Sequence, residues 1–229
     1  MYQHEKESNC FTCTATGDSS RITAIKGSAE LLCADVSLSE EQQRELLQRI
    51  GIEADRLHSL INDIIMINRL ESEETAGETE EVNIAEITRA CIDEVMTRVK
   101  QNRLRLDIKI EPVTLFANRK NIYEMCGNLI VNAANYTPPG GRIEIRLSAN
   151  AKEIVFSIRN DGEPIPPGHQ SRMFERFYRL DSGRSKAVGG TGLGLSIVKH
   201  AVESLGGTVR LESDERIGVL FTVVIPQKE

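Results

Sequence analysis

No stretch of this 229-residue sequence approaches the roughly 18 uninterrupted apolar residues that a membrane helix needs. Its start, Met1–Ser8, is polar and lacks the apolar run of a signal peptide. A cytoplasmic chain without membrane contact is therefore expected, unless a segment outside it acts as an anchor. A basic block is missing too. With 28 Lys and Arg against 34 Asp and Glu, the formal charge is −6, which argues against a protein that wraps nucleic acid by neutralising phosphates. Cysteine is sparse and odd in number: Cys10, Cys13, Cys33, Cys91 and Cys126. Only Cys10 and Cys13 have metal or redox spacing, and without a second such pair or a neighbouring His pair they read as free thiols.

The length suits one full domain plus a smaller piece. Ile22, Ile25, Ala29, Leu32 and Val36 step by three and four, which predicts a short helix over about 20–35, with N-cap candidates in Gly17–Ser20. Ser39 to Gln42 then reads as a capping box. Beyond it Leu46, Ile50, Leu57, Leu60, Ile64 and Ile67 keep a heptad step interrupted by Glu53. A helix over 39–70 would run roughly 48 Å, against about 24 Å for the first, so half of its apolar seam has no partner in this chain. Pairing with a second chain is expected.

Residues 71–81, ESEETAGETEE, are acidic and lack large apolar side chains, as a linker would. From Val82 the pattern changes. Helices are predicted at 84–100, 119–135 and 193–205, and period-two strands at 104–110, 142–147, 153–158, 208–211 and 219–225. Helices on one face of a sheet make an α+β, two-layer sandwich.

Four stretches carry candidate chemistry. Asn128 and Asn132 stand one turn apart on an otherwise apolar helix, and their side chains would cap nearby backbone or, through their carbonyls, suit a hard cation such as Mg²⁺. Asn160, Asp161 and Gly162 follow a strand, where an exposed oxygen can accept a hydrogen bond from a base's amine; an ordinary turn would look the same. Gly189-Gly190-Thr191-Gly192-Leu193-Gly194 runs straight into an apolar-periodic helix, a candidate phosphate cradle. It lacks the Lys-Ser/Thr of a P-loop, and no strand precedes it as the dinucleotide fingerprint requires. Between these lies Met173–Val188, rich in cations and aromatics, as a movable lid or an exposed amphipathic helix held by Phe174 and Phe177 would be.

In their order along the chain the four resemble the N, G1, F and G2 boxes of the catalytic and ATP-binding domain of two-component sensor histidine kinases, within the GHKL ATPases. The resemblance covers about Val82–Pro226. It extends to Ile22–Gly27 and Glu53–His58, which look like the family's dimerisation and phosphoacceptor hairpin. It implies a Bergerat-type sandwich over 76–229, a truncated antiparallel hairpin over 19–75 and an atypical polar segment over 1–18. It further implies Asn132 as Mg²⁺ ligand, Asn128 beside the phosphates and Tyr136 beside adenine or ribose. Gly162, Gly190, Thr191, Gly192, Leu193 and Gly194 would surround the nucleotide, and Arg179 and Arg184 would meet the γ-phosphate. The family's Asp-x-Gly departs here to Asn160-Asp161-Gly162, so Asn160 stands in the adenine-reading position with Asp161 as fallback. Asn135 stands where the family often has Lys.

The family's acceptor box resembles His-Glu-Leu-Arg-Thr-Pro, with the His seven residues before the position of Thr23. Counting back gives Thr16; the acidic position after it is Gly17 and the proline position is Arg21. The acceptor position is therefore expected to be inactive, since a phosphothreonine is a stable ester and a phosphohistidine a labile phosphoramidate. His4, His58, His169 and His200 do not fall at that position. The resemblance implies a kinase core using ATP and Mg²⁺, a homodimer or heterodimer through the hairpin, and a response regulator receiver domain as partner. A non-catalytic ATP-binding dimerisation module is the alternative. A Ser/Thr kinase of the anti-sigma type is weaker, because those relatives lack such a hairpin.

Overall fold

The protein is described from a computed structural model. It describes residues 22–34, 38–54, 78–180 and 192–227. Contacts divide the chain into two units, Met1–Ile65 and Met66–Glu229.

In the first unit, helix α1 occupies 22–33 and helix α2 begins at 40, its described part reaching 54. The expected capping box forms: Gln42 N–H donates to Ser39 Oγ at 3.2 Å and Ser39 N–H donates to Gln42 Oε1 at 2.9 Å. Two orphan amides of the helix start are thereby satisfied. Leu46 and Ile50 are half-buried among exposed neighbours, as the heptad seam requires. Leu57 to Ile67, with His58, lie outside the described residues, as do Cys10, Cys13 and Thr16.

In the second unit the elements run β1 (Glu80–Asn83), α3 (Ile84–Gln101), β2 (Arg105–Ile110), β3 (Thr114–Ala117), α4 (Arg119–Tyr136), β4 (Arg142–Ala149), β5 (Glu153–Asn160), α5 (Pro167–Gln170), a 3₁₀ turn (Ser171–Phe174), α6 (Gly194–Ser204), β6 (Thr208–Asp214) and β7 (Gly218–Pro226). The main sheet has the order β2-β4-β5-β7-β6, with β2 parallel to β4 and the other pairs antiparallel. Strand alternation supplies one apolar face: Ile154, Phe156 and Ile158 of β5 and Val219, Phe221, Val223 and Ile225 of β7 are buried. Against it lie Ile122, Met125, Cys126, Leu129, Ile130 and Ala133 of α4, with Val198, Ala201 and Val202 of α6. The expected α+β two-layer sandwich is what forms.

The other face of the sheet is ionic. Asp107 binds Arg142 and Arg146, and Glu144 binds Arg142, Arg146 and Arg159. Helices α3 and α4 start on Asn side chains, Asn83 accepting from Glu86 N–H at 3.2 Å and Asn118 from Lys120 N–H at 2.9 Å. Each such cap contributes about 1 kcal/mol.

Two strands were not expected from the pattern. β1 begins inside the acidic segment 71–81 that reads as linker, and it pairs antiparallel with β3, Val82 opposite Leu115. Only Val82 of β1 is fully buried. Hydrogen bonds to a distant strand hold β1, so its own sequence carries no periodic signal. β5 also runs two residues further than expected and ends on Asn160, which the pattern had placed in the following turn.

Candidate functional site

The site lies at the C-terminal halves of α4 and β5 and the start of α6. Asn128 and Asn132 are both half-buried on α4, on one face as their spacing requires. Asn128 Nδ2 donates to the Glu124 carbonyl at 2.8 Å. Its Oδ1 reaches the first residue of α6: a Cβ added to Gly194 would stand 3.0 Å from it. The amide-bearing helix and the glycine-rich run of the sequence thus meet across 66 residues of chain. α6 has no side-chain cap at its N-terminus, so its first amide N–H groups keep their bonding capacity for an anion's oxygens.

Asn132 makes no side-chain hydrogen bond among the described residues, and its carboxamide oxygen is chemically suited to Mg²⁺. Among the described residues no cluster of three or more His, Cys, Asp or Glu could hold a metal. The donor set therefore fits a cation shared between an amide oxygen and a ligand's own oxygens. Glu124, one turn before Asn128, is a part of this face that the sequence reading passed over. Its side chain is only 15% exposed, with Lys120 Nζ at 3.4 Å, and the i, i+4 spacing to Asn128 was the available signal.

Asn160 closes the apolar row of β5 and is 2% exposed. Its Nδ2 is shielded from solvent and has no hydrogen-bond partner among the described residues. A Cβ on Gly162 would stand 2.6 Å from that nitrogen, and 3.4 Å from the Tyr136 carbonyl and from Val219 Cγ2, so only glycine fits against the amide. Tyr136, the last residue of α4, is 45% exposed. Asp161 turns the other way, as strand alternation demands. Its Oδ2 accepts from Arg142 N–H at 2.9 Å and its Oδ1 lies 3.6 Å from Arg159 Nη2, so its carboxylate belongs to the ionic face. Asn160 and Asp161, adjacent in sequence, are not brought together.

Past α5 the chain is held by aromatics. Phe174 meets Phe221 edge-on at 6.3 Å, His169 Nδ1 bonds the Tyr178 hydroxyl, and the Arg172 guanidinium lies 4.3 Å over the Tyr178 ring. Phe177 has φ +64°, rare for an aromatic residue, and its N–H donates to the Gly192 carbonyl at 3.0 Å. Gly192 itself has φ +80°, and a Cβ there would stand 2.9 Å from the Phe177 carbonyl carbon. Nothing in the sequence announces a left-handed Phe. Leu193 is buried beside this junction, and Arg179, half-buried, follows it by two residues. Arg184, Gly190 and Thr191 lie outside the described residues.

Residues 117–229 match the family model described as histidine kinase-, DNA gyrase B- and HSP90-like ATPase, and residues 22–73 match the His Kinase A (phospho-acceptor) domain. The sensor histidine kinase RppB of Synechocystis sp. is 29% identical over 99% of this chain and 50% of its own length. The phosphate regulon sensor protein PhoR of Pseudomonas aeruginosa is 30% identical over 88% of this chain and 46% of its own. The chain thus spans about half the length of these curated relatives. Among solved structures, the histidine kinase ThkA in complex with the response regulator protein TrrA superposes with a TM-score of 0.75. At 23% identity, over 98% of this chain and 64% of that one, the likeness is one of fold.

Proposed function

The chain belongs to the two-component sensor histidine kinases, and from that premise we propose that its second unit binds Mg-ATP between α4 and the start of α6 for γ-phosphoryl transfer to histidine. The observation that carries this reading is the approach of Asn128 Oδ1 to Gly194, which joins the amide face of α4 to the uncapped start of α6. Phosphate oxygens would accept from the α6 amides. Asn128, Arg179 and Arg184 would orient the terminal phosphate, and Gly190, Thr191, Gly192 and Leu193 would line its approach. Asn132 would hold Mg²⁺, which when bound neutralises charge on the phosphates. Tyr136, Asn160 and Gly162 would enclose the base, with Asp161 left to the ionic face. Positioning and charge neutralisation carry such a transfer, with little covalent help from the protein.

The domain limits proposed are a polar segment over 1–18, a dimerisation hairpin over 19–75 and the ATP-binding domain over 76–229. The hairpin would pair with a second copy or a homologue, and a response regulator receiver domain would take the phosphoryl group. The complex of ThkA with a response regulator supports that partner. Among the described residues no helix is long and apolar enough to cross a membrane, and a cytoplasmic position for this segment is proposed with it.

Thr16 and Gly17 favour a second reading. With neither imidazole nor carboxylate at the acceptor position, the chain would receive no phosphoryl group itself. It would transfer to a partner's histidine, or act as a non-catalytic, nucleotide-responsive module. Incubation with γ-labelled ATP, alone and with a histidine-bearing homologue whose own ATP site has been inactivated, decides. Label on the homologue supports the kinase; ATP bound with no label on either protein supports the module; no ATP bound ends both.

A further inference from the structure

The last buried position of β5 holds an amide whose nitrogen has nothing to donate to among the described residues. Asn160 Nδ2 is shielded from water, has no hydrogen-bond partner among the described residues, and fills the room that a Cβ on Gly162 would need, 2.6 Å from where that atom would stand. A buried donor in that state destabilises the empty protein, and a ligand acceptor relieves it. A carboxylate at this position offers only acceptors. It rewards a base's exocyclic amine and repels a base's carbonyl oxygen. A carboxamide offers one acceptor and one donor. Adenine presents an amine and N1, a donor beside an acceptor. Hypoxanthine presents O6 and N1–H, an acceptor beside a donor. A carboxamide can pair with either edge by rotating about its last torsion.

We propose that Asn160 reads the purine with both atoms of its amide, so that the site takes 6-oxopurine nucleotides nearly as well as ATP. The inference rests on the nucleotide-binding reading of the site and adds its base specificity.

Titration calorimetry of the full chain with ATP and with inosine triphosphate, both with Mg²⁺, tests it. Affinities within about tenfold of one another are expected, since the amide pairs with both edges. Asn160→Asp should widen that ratio beyond about a hundredfold in favour of ATP, because its oxygens face O6. A wild-type preference for ATP above tenfold overturns the inference and leaves the kinase reading standing. So does an Asn160→Asp protein that binds ATP with the wild-type ratio. If the wild-type chain binds neither nucleotide, the reading of the site itself fails. The wild-type ratio needs no variant to fold.

Discussion

The amide of Phe177 donates to the carbonyl of Gly192 at 3.0 Å, and both residues hold positive φ, +64° and +80°. This bond brings two described stretches of chain, one reaching 180 and the other starting at 192, together at one point. Left-handed backbone costs free energy for Phe and almost none for Gly, so the junction depends on the glycine.

Gly192→Ala is expected to destabilise the second unit by about 1–3 kcal/mol, because a Cβ there meets Phe177 backbone and Ala resists the left-handed region. Urea unfolding measures it, and an unchanged midpoint would show that the junction carries no strain.

Asn132→Ala should weaken ATP binding in Mg²⁺ by ~10-fold or more, as loss of a group that holds a metal does. With the metal chelated by EDTA, wild type and variant should bind alike. Equal loss in both conditions would make Asn132 a phosphate or packing residue instead.

Restoring the acceptor box by Thr16→His with Gly17→Glu should produce acid-labile label from γ-labelled ATP where the parent chain gives none. Phosphoramidates hydrolyse in acid and phosphothreonine does not, so the lability of the label identifies the residue. ATP bound without label would place the defect elsewhere than at the acceptor.

Asp107 accepts from Arg146 Nη1 at 2.8 Å and from Arg142, and these bonds lower its carboxyl from 3.8 to about 2. A lowered folded value means stability present above pH 3.8 and lost as pH falls toward 2. Asp107→Asn should therefore flatten the acid limb of a stability profile in that window. An unaltered limb would assign acid sensitivity to other carboxylates.

Burial pushes the Cys126 thiol up to about 12, and burial together with the Glu94 charge does the same for Cys91. Raised folded values stabilise the fold below pH 9.0 and lose that contribution as pH rises from 9.0 toward 12. At pH 8 a thiol-alkylating reagent should modify exposed Cys33 and spare both buried thiols in the native chain. Rapid labelling of Cys91 or Cys126 would show that α3 and α4 open locally.

What the sequence determined by itself was whatever repeats along the chain. The apolar periods of α3, α4 and α6, the alternation of β4, β5 and β7, and the Ser39–Gln42 box were legible because each is decided by burial or bonding among near neighbours. The order of the four chemical stretches was legible in the same way, as a linear pattern. The tertiary structure decided what depends on distant partners. β1 exists only through β3, and Asn128 reaches Gly194 only because α4 packs on α6. Phe177 is left-handed because Gly192 stands beneath it. Strand pleat, which sends neighbouring side chains to opposite faces, separated Asn160 from Asp161 and left one amide nitrogen buried with no acceptor among the described residues.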